Sequence, residues 1–388
     1  MAAQRSSPLR LLTAVPICDG HDSAIVTINL ELIRQGIEIV YLGYHRSARA
    51  IVQAAIQEDV RAIGISSYNG GHCEFFEEVI GLLKAQGAHD IGVFGGGGGT
   101  ITEADAKAMY ARGVDRIFFA GSSLAEMVEF VVRKYGGPRA PPSIALTQHA
   151  SFDLRLAQLI TATVEEADVA NGLLSLSDSA FPIPTLGFTG PGGVGKTTLI
   201  DELVLRHLKA HPTARIAILS HDPSIIGKGA LLGDRTAMIH AQDDRVFMRS
   251  LASRGQAGGL AEASTRWLEA LKRAKAEAGT AVFDLILIET VGIGQEATPF
   301  QRPMVDKIVL VMGPDYGSRL QLQKIAMLDV ADAIVINKAD RPGASTAQAE
   351  LKFQLSLNGR GQRLIATIAK QHRNPGVDAL YRYLCEPV

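Results

Sequence analysis

Residues 186–198 read Leu-Gly-Phe-Thr-Gly-Pro-Gly-Gly-Val-Gly-Lys-Thr-Thr, an apolar run that passes directly into a glycine-rich turn. From Gly190 to Thr197 the turn satisfies G-x-x-x-x-G-K-[ST], which predicts a phosphate-binding loop between a strand and a helix. Gly190, Gly192, Gly193 and Gly195 let the backbone wrap closely, so that its N–H groups form a nest for anions. Lys196 then supplies a cation for the β- and γ-phosphates, and Thr197, followed by Thr198, a hydroxyl for Mg²⁺. The helix that follows adds its positive end. This pattern predicts a nucleoside triphosphatase, with Lys196 as a catalytic residue.

Further along, Asn337-Lys338-Ala339-Asp340 closes the apolar run 333–336 and has the form NKxD. An aspartate can accept both the ring N1–H and the exocyclic amine of guanine, a pair of donors that adenine lacks. The nucleotide is therefore expected to be GTP or GDP, held by Asn337, Lys338 and Asp340. Between the two motifs, His-Asp222-Pro-Ser and Glu289-Thr-Val-Gly292 each place a carboxylate after an apolar run, where metal and attacking water sit in open α/β sheets. Glu289 is expected to be catalytic, and residues 289–294 to behave as a switch. Taken alone, either carboxylate also fits a helix N-cap. The loop 253–259, Ser-Arg-Gly-Gln-Ala-Gly-Gly, reads by itself as a surface loop.

Outward from these motifs, strand-like runs at 186–189, 215–220, 285–289, 307–312, 333–337 and 364–367 alternate with helical patterns. A separate alternation fills the start of the chain. Its strands are expected at 9–15, 37–41, 62–66, 91–94 and 116–119, with helices at 22–35, 47–57, 74–86, 103–111 and 124–134. Gly136-Gly-Pro-Arg-Ala-Pro-Pro142 breaks the periodicity. The expected organisation is thus α/β, with two doubly wound domains: a flavodoxin-like domain over 1–137 and a P-loop domain over 184–388, joined by connecting helices in 138–183.

Composition narrows the classes further. A hydrophobic fraction of 47% fills two cores, and a net charge of −1 argues against a general nucleic-acid binder. No apolar run is long enough to span a membrane, and no signal peptide is evident, so a cytoplasmic protein is expected. Three widely spaced cysteines (Cys18, Cys73 and Cys385) match neither a disulfide framework nor a zinc spacing.

In the first domain, Asp19-Gly-His21-Asp, Ser66-Ser-Tyr68 and the five glycines from Gly95 to Gly99 all follow expected strands. That edge of a doubly wound sheet is where ligands bind, and the glycines suggest a broad, flat group or a long tail against bare backbone. His21 can ligate a metal through one ring nitrogen while the other donates to Asp19. On this pair alone, an ordinary loop histidine is the default reading. One histidine is too few for zinc, but suits a metal that carries its own macrocycle.

The set GPGGVGKTT, DPS, LLGDRT, ETVGIGQ and NKAD resembles the G-protein chaperones of adenosylcobalamin-dependent acyl-CoA mutases. That resemblance implies a Mg²⁺ site built from Thr197, Asp222, Asp234 and Glu289, although the span from Asp222 to Asp234 is one residue shorter than expected for the family. Residues 253–259 also resemble the family's SxxxGG loop, which implies a second switch there. The first domain is similar to the cobalamin-binding domain of the same mutases, whose motif is DxHxxG followed by SxL and GG. Asp19, His21, Ser66, Tyr68, Gly95 and Gly96 fall on it, with Ala24 in place of its last glycine and Tyr68 in place of its leucine. DGHD and SSYNGG resemble the fused isobutyryl-CoA mutases, which carry these two domains in this order.

The resemblance implies that His21 is the lower ligand of cobalt and that GTP hydrolysis gates loading or removal of adenosylcobalamin. It also implies an acyl-CoA mutase partner, whose (β/α)₈ barrel needs ~250 residues that neither domain provides. Two other readings are a metal-insertion GTPase whose first domain only docks a protein, and a corrinoid protein of methyl transfer.

Overall fold

In the computed structural model, residues 8–17, 19–21, 23–138, 150–165, 174, 176–225, 228–256, 259–292, 300, 304–316 and 326–385 are described. They form two compact units. The first takes in the described residues up to Leu176 together with Ser224–Thr236, and the second Ser177–Pro223 with the described residues from Ala237 onward.

The first unit alternates β1 (Arg10–Ala14), α1 (Ser23–Arg34), β2 (Glu38–Tyr41), α2 (Ala48–Gln57), β3 (Ala62–Ser66), α3 (His72–Ala85), β4 (Gly92–Gly96), α4 (Glu103–Arg112), β5 (Arg116–Phe118) and α5 (Leu124–Tyr135). The expected strands and helices are all present, their ends displaced by a few residues at most. Local chemistry fixes several of the helix starts. Ser47 accepts from the N–H of Ala50, and Thr102 and Asp105 form a reciprocal capping box. The parallel order β5-β4-β3-β1-β2 is flavodoxin-like. Leu11, Ile39 and Ala62 lie in its core, with Phe94, Phe118 and Tyr135 packed at one end.

Two features go beyond the sequence reading. Within the stretch read as connecting helices, α6 (Phe152–Glu165) packs on α2, with Leu156, Leu159 and Ile160 fully buried. The first sheet also gains a sixth strand from beyond the P-loop: β8 (Ala230–Leu232) lies parallel to β2, with Glu38 opposite Ala230 and Val40 opposite Leu232. Gly229 precedes it because a Cβ there would lie 2.1 Å from the Ile37 carbonyl oxygen. Arg235, almost wholly buried, donates to Glu58 Oε1 at 2.7 Å and to Gln57 Oε1 at 3.0 Å. Glu58 also accepts from Arg10 at 3.1 Å. Three residues are too few for periodicity to reveal, which is why the strand was not expected.

The second unit contains β6 (Thr185–Thr189), α7 (Lys196–Ala210), β7 (Ile216–Asp222), β9 (Val246–Ala252), α9 (Ser264–Arg273), β10 (Leu285–Glu289), β11 (Lys307–Met312), β12 (Ala333–Ile336), α10 (Ala344–Asn358), β13 (Arg363–Ala366) and α11 (Pro375–Cys385). A short helix, α8 (Asp234–Ala237), lies where the chain returns to this unit. The parallel order is β13-β12-β11-β6-β10-β7-β9. The edge strand β9 was also not expected. Arg249 interrupts its apolar run, but its guanidinium is buried over the Trp267 ring, 5.0 Å from the centroid. Among the described residues, no helix is long and apolar enough to cross a membrane.

Candidate functional site: a nucleotide loop and an oriented histidine

In the second unit, β6 delivers Thr189 to the carboxyl edge of the sheet, and the P-loop turns there into α7. Gly190 has φ 141°, and a Cβ on it would lie 2.0 Å from the Val311 carbonyl oxygen. Gly195, at φ 91°, would similarly meet Asn337 Nδ2 at 2.6 Å. These two glycines therefore serve close packing within the chain as well as a nest. Lys196 is buried, and its Nζ donates to the carbonyls of Gly190 and Pro191 at 3.1 Å.

Asn337 joins the two nucleotide motifs. Its Nδ2 donates to the Val194 carbonyl at 2.9 Å, and its Oδ1 accepts from Thr367 Oγ1 at 3.1 Å and Ala369 N at 3.0 Å. Lys338, at φ 58°, donates from Nζ to the Gly193 carbonyl. Asp340 stands exposed two residues further on.

The metal-ligand candidates divide between the units. Thr197 Oγ1 donates to Glu289 Oε1 at 2.8 Å, bringing hydroxyl and carboxylate together as expected. Asp222 ends β7, next to β10, and is buried. Asp234 heads α8 in the segment that folds with the first unit, so the second unit alone does not assemble all four candidates. The other three offer only oxygen donors, which suits a hard cation such as Mg²⁺. Gly292 packs on the P-loop, where a Cβ would lie 2.5 Å from Gly192 Cα. The loop at 253 is tied to both strand ends: Ser253 N donates to the Asp222 carbonyl and Val291 N to the Gly259 carbonyl, each at 3.0 Å. Residues 257–258 and 293–294 of the two expected switches lie outside the described residues.

One residue here was missed in the sequence. His221 is buried with Nδ1 2.7 Å from the Glu289 carbonyl oxygen and Nε2 2.6 Å from Ser264 Oγ. Burial pushes its pKa down to about 4 despite the Glu289 bond, so the ring is neutral and the nitrogen facing the carbonyl carries its proton. The signal was a histidine inside the apolar run before Asp222.

In the first unit, Asp19 is fully buried after β1. Its Oδ1 accepts from His21 N at 3.0 Å and faces His21 Nδ1 at 2.8 Å, while Oδ2 accepts from Tyr68 N and from Asn69 N at 3.2 Å. Burial opposes the charge, but these donors outweigh it and hold the carboxyl below its ordinary value. An ionised Asp19 draws the ring proton to Nδ1, leaving Nε2 with a lone pair on a side chain 65% exposed. The Tyr68 ring lies 5.4 Å from the imidazole. Ser66 is buried at the end of β3, beside Gly96 of β4.

The glycine run has a different physical basis from the one expected. A Cβ would meet Ile65 O at 2.4 Å from Gly95, Phe118 O at 2.6 Å from Gly96, Ser67 O at 2.0 Å from Gly97 and the Tyr68 ring at 1.9 Å from Gly98. Four of the glycines therefore admit neighbouring parts of the chain itself. Only Gly99 faces open space. An exposed imidazole nitrogen, fixed from behind by a buried carboxylate, still fits the cobalt of a corrinoid.

The folds and sites define a guanine-nucleotide-binding P-loop unit and a flavodoxin-like unit with an oriented histidine, on one chain. Residues 156–382 match the family described as methylmalonyl-CoA mutase-associated GTPase MeaB, and residues 9–128 match the B12 binding domain. The chain belongs to the MeaB GTPase family and carries a B12-binding domain before the GTPase. It is 37% identical over 402 residues to a fused isobutyryl-CoA mutase of Cupriavidus metallidurans, covering 98% of this chain and 36% of that protein. A fused isobutyryl-CoA mutase of Geobacillus kaustophilus is 36% identical over 403 residues, with the same coverage. One from Nocardia farcinica is 36% identical over 402 residues, covering 99% of this chain and 36% of its own length. The chain thus spans about a third of the length of these curated relatives.

Proposed function

We propose that this chain is the cofactor-holding and GTP-hydrolysing portion of an adenosylcobalamin-dependent acyl-CoA mutase of the isobutyryl-CoA type. Its partner is a (β/α)₈ barrel subunit or domain that binds the acyl-CoA. The observation that carries the reading is His21, oriented by buried Asp19 with Nε2 outward, on the same chain as a P-loop tied to NKAD. When bound, adenosylcobalamin supplies the carbon radical that starts a 1,2-rearrangement.

This chain's own residues have separable roles. His21 would ligate the cobalt, Asp19 fixes the imidazole tautomer, and Ser66, Tyr68, Gly95 and Gly96 shape the adjoining sheet edge. In the GTPase, Gly190, Gly192, Gly193, Gly195 and Thr198 surround the phosphates and Lys196 offsets their charge. Thr197, Asp222 and Glu289 would hold Mg²⁺, and Asp234 is a fourth candidate on its sequence motif alone. Asn337, Lys338 and Asp340 select guanine, and Glu289 with Lys196 supports hydrolysis. Hydrolysis gates the loading or removal of the cofactor in a cytoplasmic protein that needs neither nucleic acid nor membrane.

Cobalt coordination tests the reading. Cobalamin bound to the 15N-labelled chain and reduced to Co(II) should show coupling to a protein histidine nitrogen in its electron paramagnetic resonance spectrum, lost in His21→Ala. Unchanged coordination in that variant, or a protein left colourless after incubation with cobalamin and desalting, overturns it. The colourless outcome is the one expected of a metal-insertion GTPase with a docking domain.

A further inference from the structure

A second group of metal-ligating side chains lies in the GTPase unit, apart from the Mg²⁺ candidates. Glu202 is on α7, the helix that opens with the P-loop. His240 is in the turn after α8, and His372 is in the loop after β13. One oxygen of Glu202 and one nitrogen from each imidazole lie within 4.8 Å of one another. Glu202 Oε1 is 2.5 Å from His372 Nδ1, and the two imidazole centroids are 6.2 Å apart. His240 Nε2 is sealed from solvent and has no hydrogen-bond partner among the described residues. A buried polar atom left in that state is destabilising unless something binds it.

Surrounding bonds hold the group in place. Arg206 donates to Glu202 Oε2 at 2.7 Å and to the His372 carbonyl at 3.1 Å, leaving Oε1 for the imidazoles. Its charge is shared with Asp378, at 2.6 Å. Asp201, next to Glu202, accepts from the backbone N–H groups of Ile239 and His240, both at 2.9 Å, which anchors the His240 turn against α7. The Glu202 side chain is 4% exposed and that of His372 68%, so the cluster is closed on one side and open to solvent on the other.

We infer that Glu202, His240 and His372 form a site for a divalent transition metal of the Zn²⁺ class, with solvent as fourth ligand. Two neutral imidazoles and a carboxylate are borderline ligands that suit Zn²⁺ better than Mg²⁺ or Ca²⁺. The only other such group among the described residues, His72, Cys73 and Asp105, is less prepared. Burial and the nearby Asp105 raise the Cys73 thiol above its ordinary value, and the Asp105 carboxylate is already engaged by the N–H and hydroxyl of Thr102. A metal at Glu202 would tie the P-loop helix to the loop after β13. That loop begins with Thr367 and Ala369, the two donors to Asn337 Oδ1.

The test is Co²⁺ and Zn²⁺ titration of the untagged full chain, with GDP and excess Mg²⁺ filling the nucleotide site. One equivalent of Co²⁺ should give visible d–d bands without a thiolate charge-transfer band, and Zn²⁺ should displace it. His372→Ala removes an exposed side chain and should weaken binding at least 10-fold. His240→Gln should do the same, while Cys73→Ser should leave binding unchanged. Zn²⁺ should raise the melting temperature of the parent chain but not of His372→Ala. Undiminished affinity in both histidine variants, a signal lost only in Cys73→Ser, or no stoichiometric binding at all would overturn the assignment.

Discussion

Asn337 Nδ2 donates to the Val194 carbonyl at 2.9 Å, so the residue that opens the base-recognition motif also braces the P-loop. Its Oδ1 takes two further bonds from the end of β13, and the side chain is almost wholly buried. Asn337→Ala strands one carbonyl, one hydroxyl and one N–H in the interior, at about 1–3 kcal/mol for each group left without a partner. The variant should melt at lower temperature and bind fluorescent GDP at least 10-fold more weakly. Affinity loss without loss of stability would mean that Asn337 contacts only the nucleotide.

Asp340 is exposed and, among the described residues, makes no comparable brace. Asp340→Asn should therefore leave the melting temperature unchanged while weakening GTP binding and favouring xanthosine triphosphate, whose ring replaces the guanine amine with a carbonyl. Competition assays with both nucleotides read this directly. Equal hydrolysis of ATP and GTP by the parent chain would remove the basis for the prediction.

Asp19→Asn keeps the size of the side chain but loses the charge that draws a proton to His21 Nδ1. Loss of such an orienting carboxylate typically costs 10–100-fold in metal affinity. Cobalamin should therefore still bind through His21, but more weakly by that order, as read by equilibrium dialysis. Full loss of colour would indicate instead that the loop at Tyr68 and Asn69, which also hydrogen-bonds to Asp19, has collapsed.

Much of this was legible in the chain before any coordinates. The P-loop and NKAD are local motifs whose chemistry is written in consecutive residues, and regular βα alternation marks a parallel sheet, whereas the Asp19–His21 pair needed the surrounding family motif to stand apart from an ordinary loop histidine. Long-range pairing was not legible. Nothing in Ala230-Leu-Leu232 marks it as a partner of β2, because the pairing depends on a strand almost two hundred positions earlier. The run from Gly95 to Gly99 reads in the sequence as bare backbone for a broad ligand, but for Gly95 to Gly98 the close neighbours are parts of the chain itself. The groups they admit, such as the Ser67 carbonyl and the Tyr68 ring, come from a different strand end. His221 was passed over for the same reason, since its partners at Glu289 and Ser264 are distant in sequence.

Glu58, fully buried, accepts from both Arg10 and Arg235. Glu58→Ala would leave two guanidinium groups short of their counter-charge, and breaking a buried pair in this way costs about 3–5 kcal/mol. Denaturant titration should show the first unit unfolding early, while nucleotide binding by the second persists. Arg235→Met, which keeps the volume and removes the charge, should cost less than Glu58→Ala.

His207 gives the GTPase unit a stability that depends on pH. Burial, and then the neighbouring His211, lowers its pKa from 6.5 to about 4. The unfolded chain therefore binds a proton that the folded chain refuses between those values, and stability falls as pH drops from about 6.5 toward 4. Urea midpoints measured across this window should decline, and the decline should be shallower in His207→Gln. Equal slopes would assign the effect to other groups.

The strand β8 also bears on how the chain is made. Because its residues follow β6, α7 and β7 in the sequence, the B12-binding sheet cannot be completed when its own five βα units have left the ribosome. Until that segment emerges, β2 lacks its neighbour on that side and Glu58 lacks its pairing with Arg235. By then the nascent chain has already synthesised the phosphate loop, so the cofactor-holding unit is finished only in chains that also carry the start of the GTPase. A gene fragment ending at Leu176 would encode every residue of the histidine site and still leave its sheet one strand short.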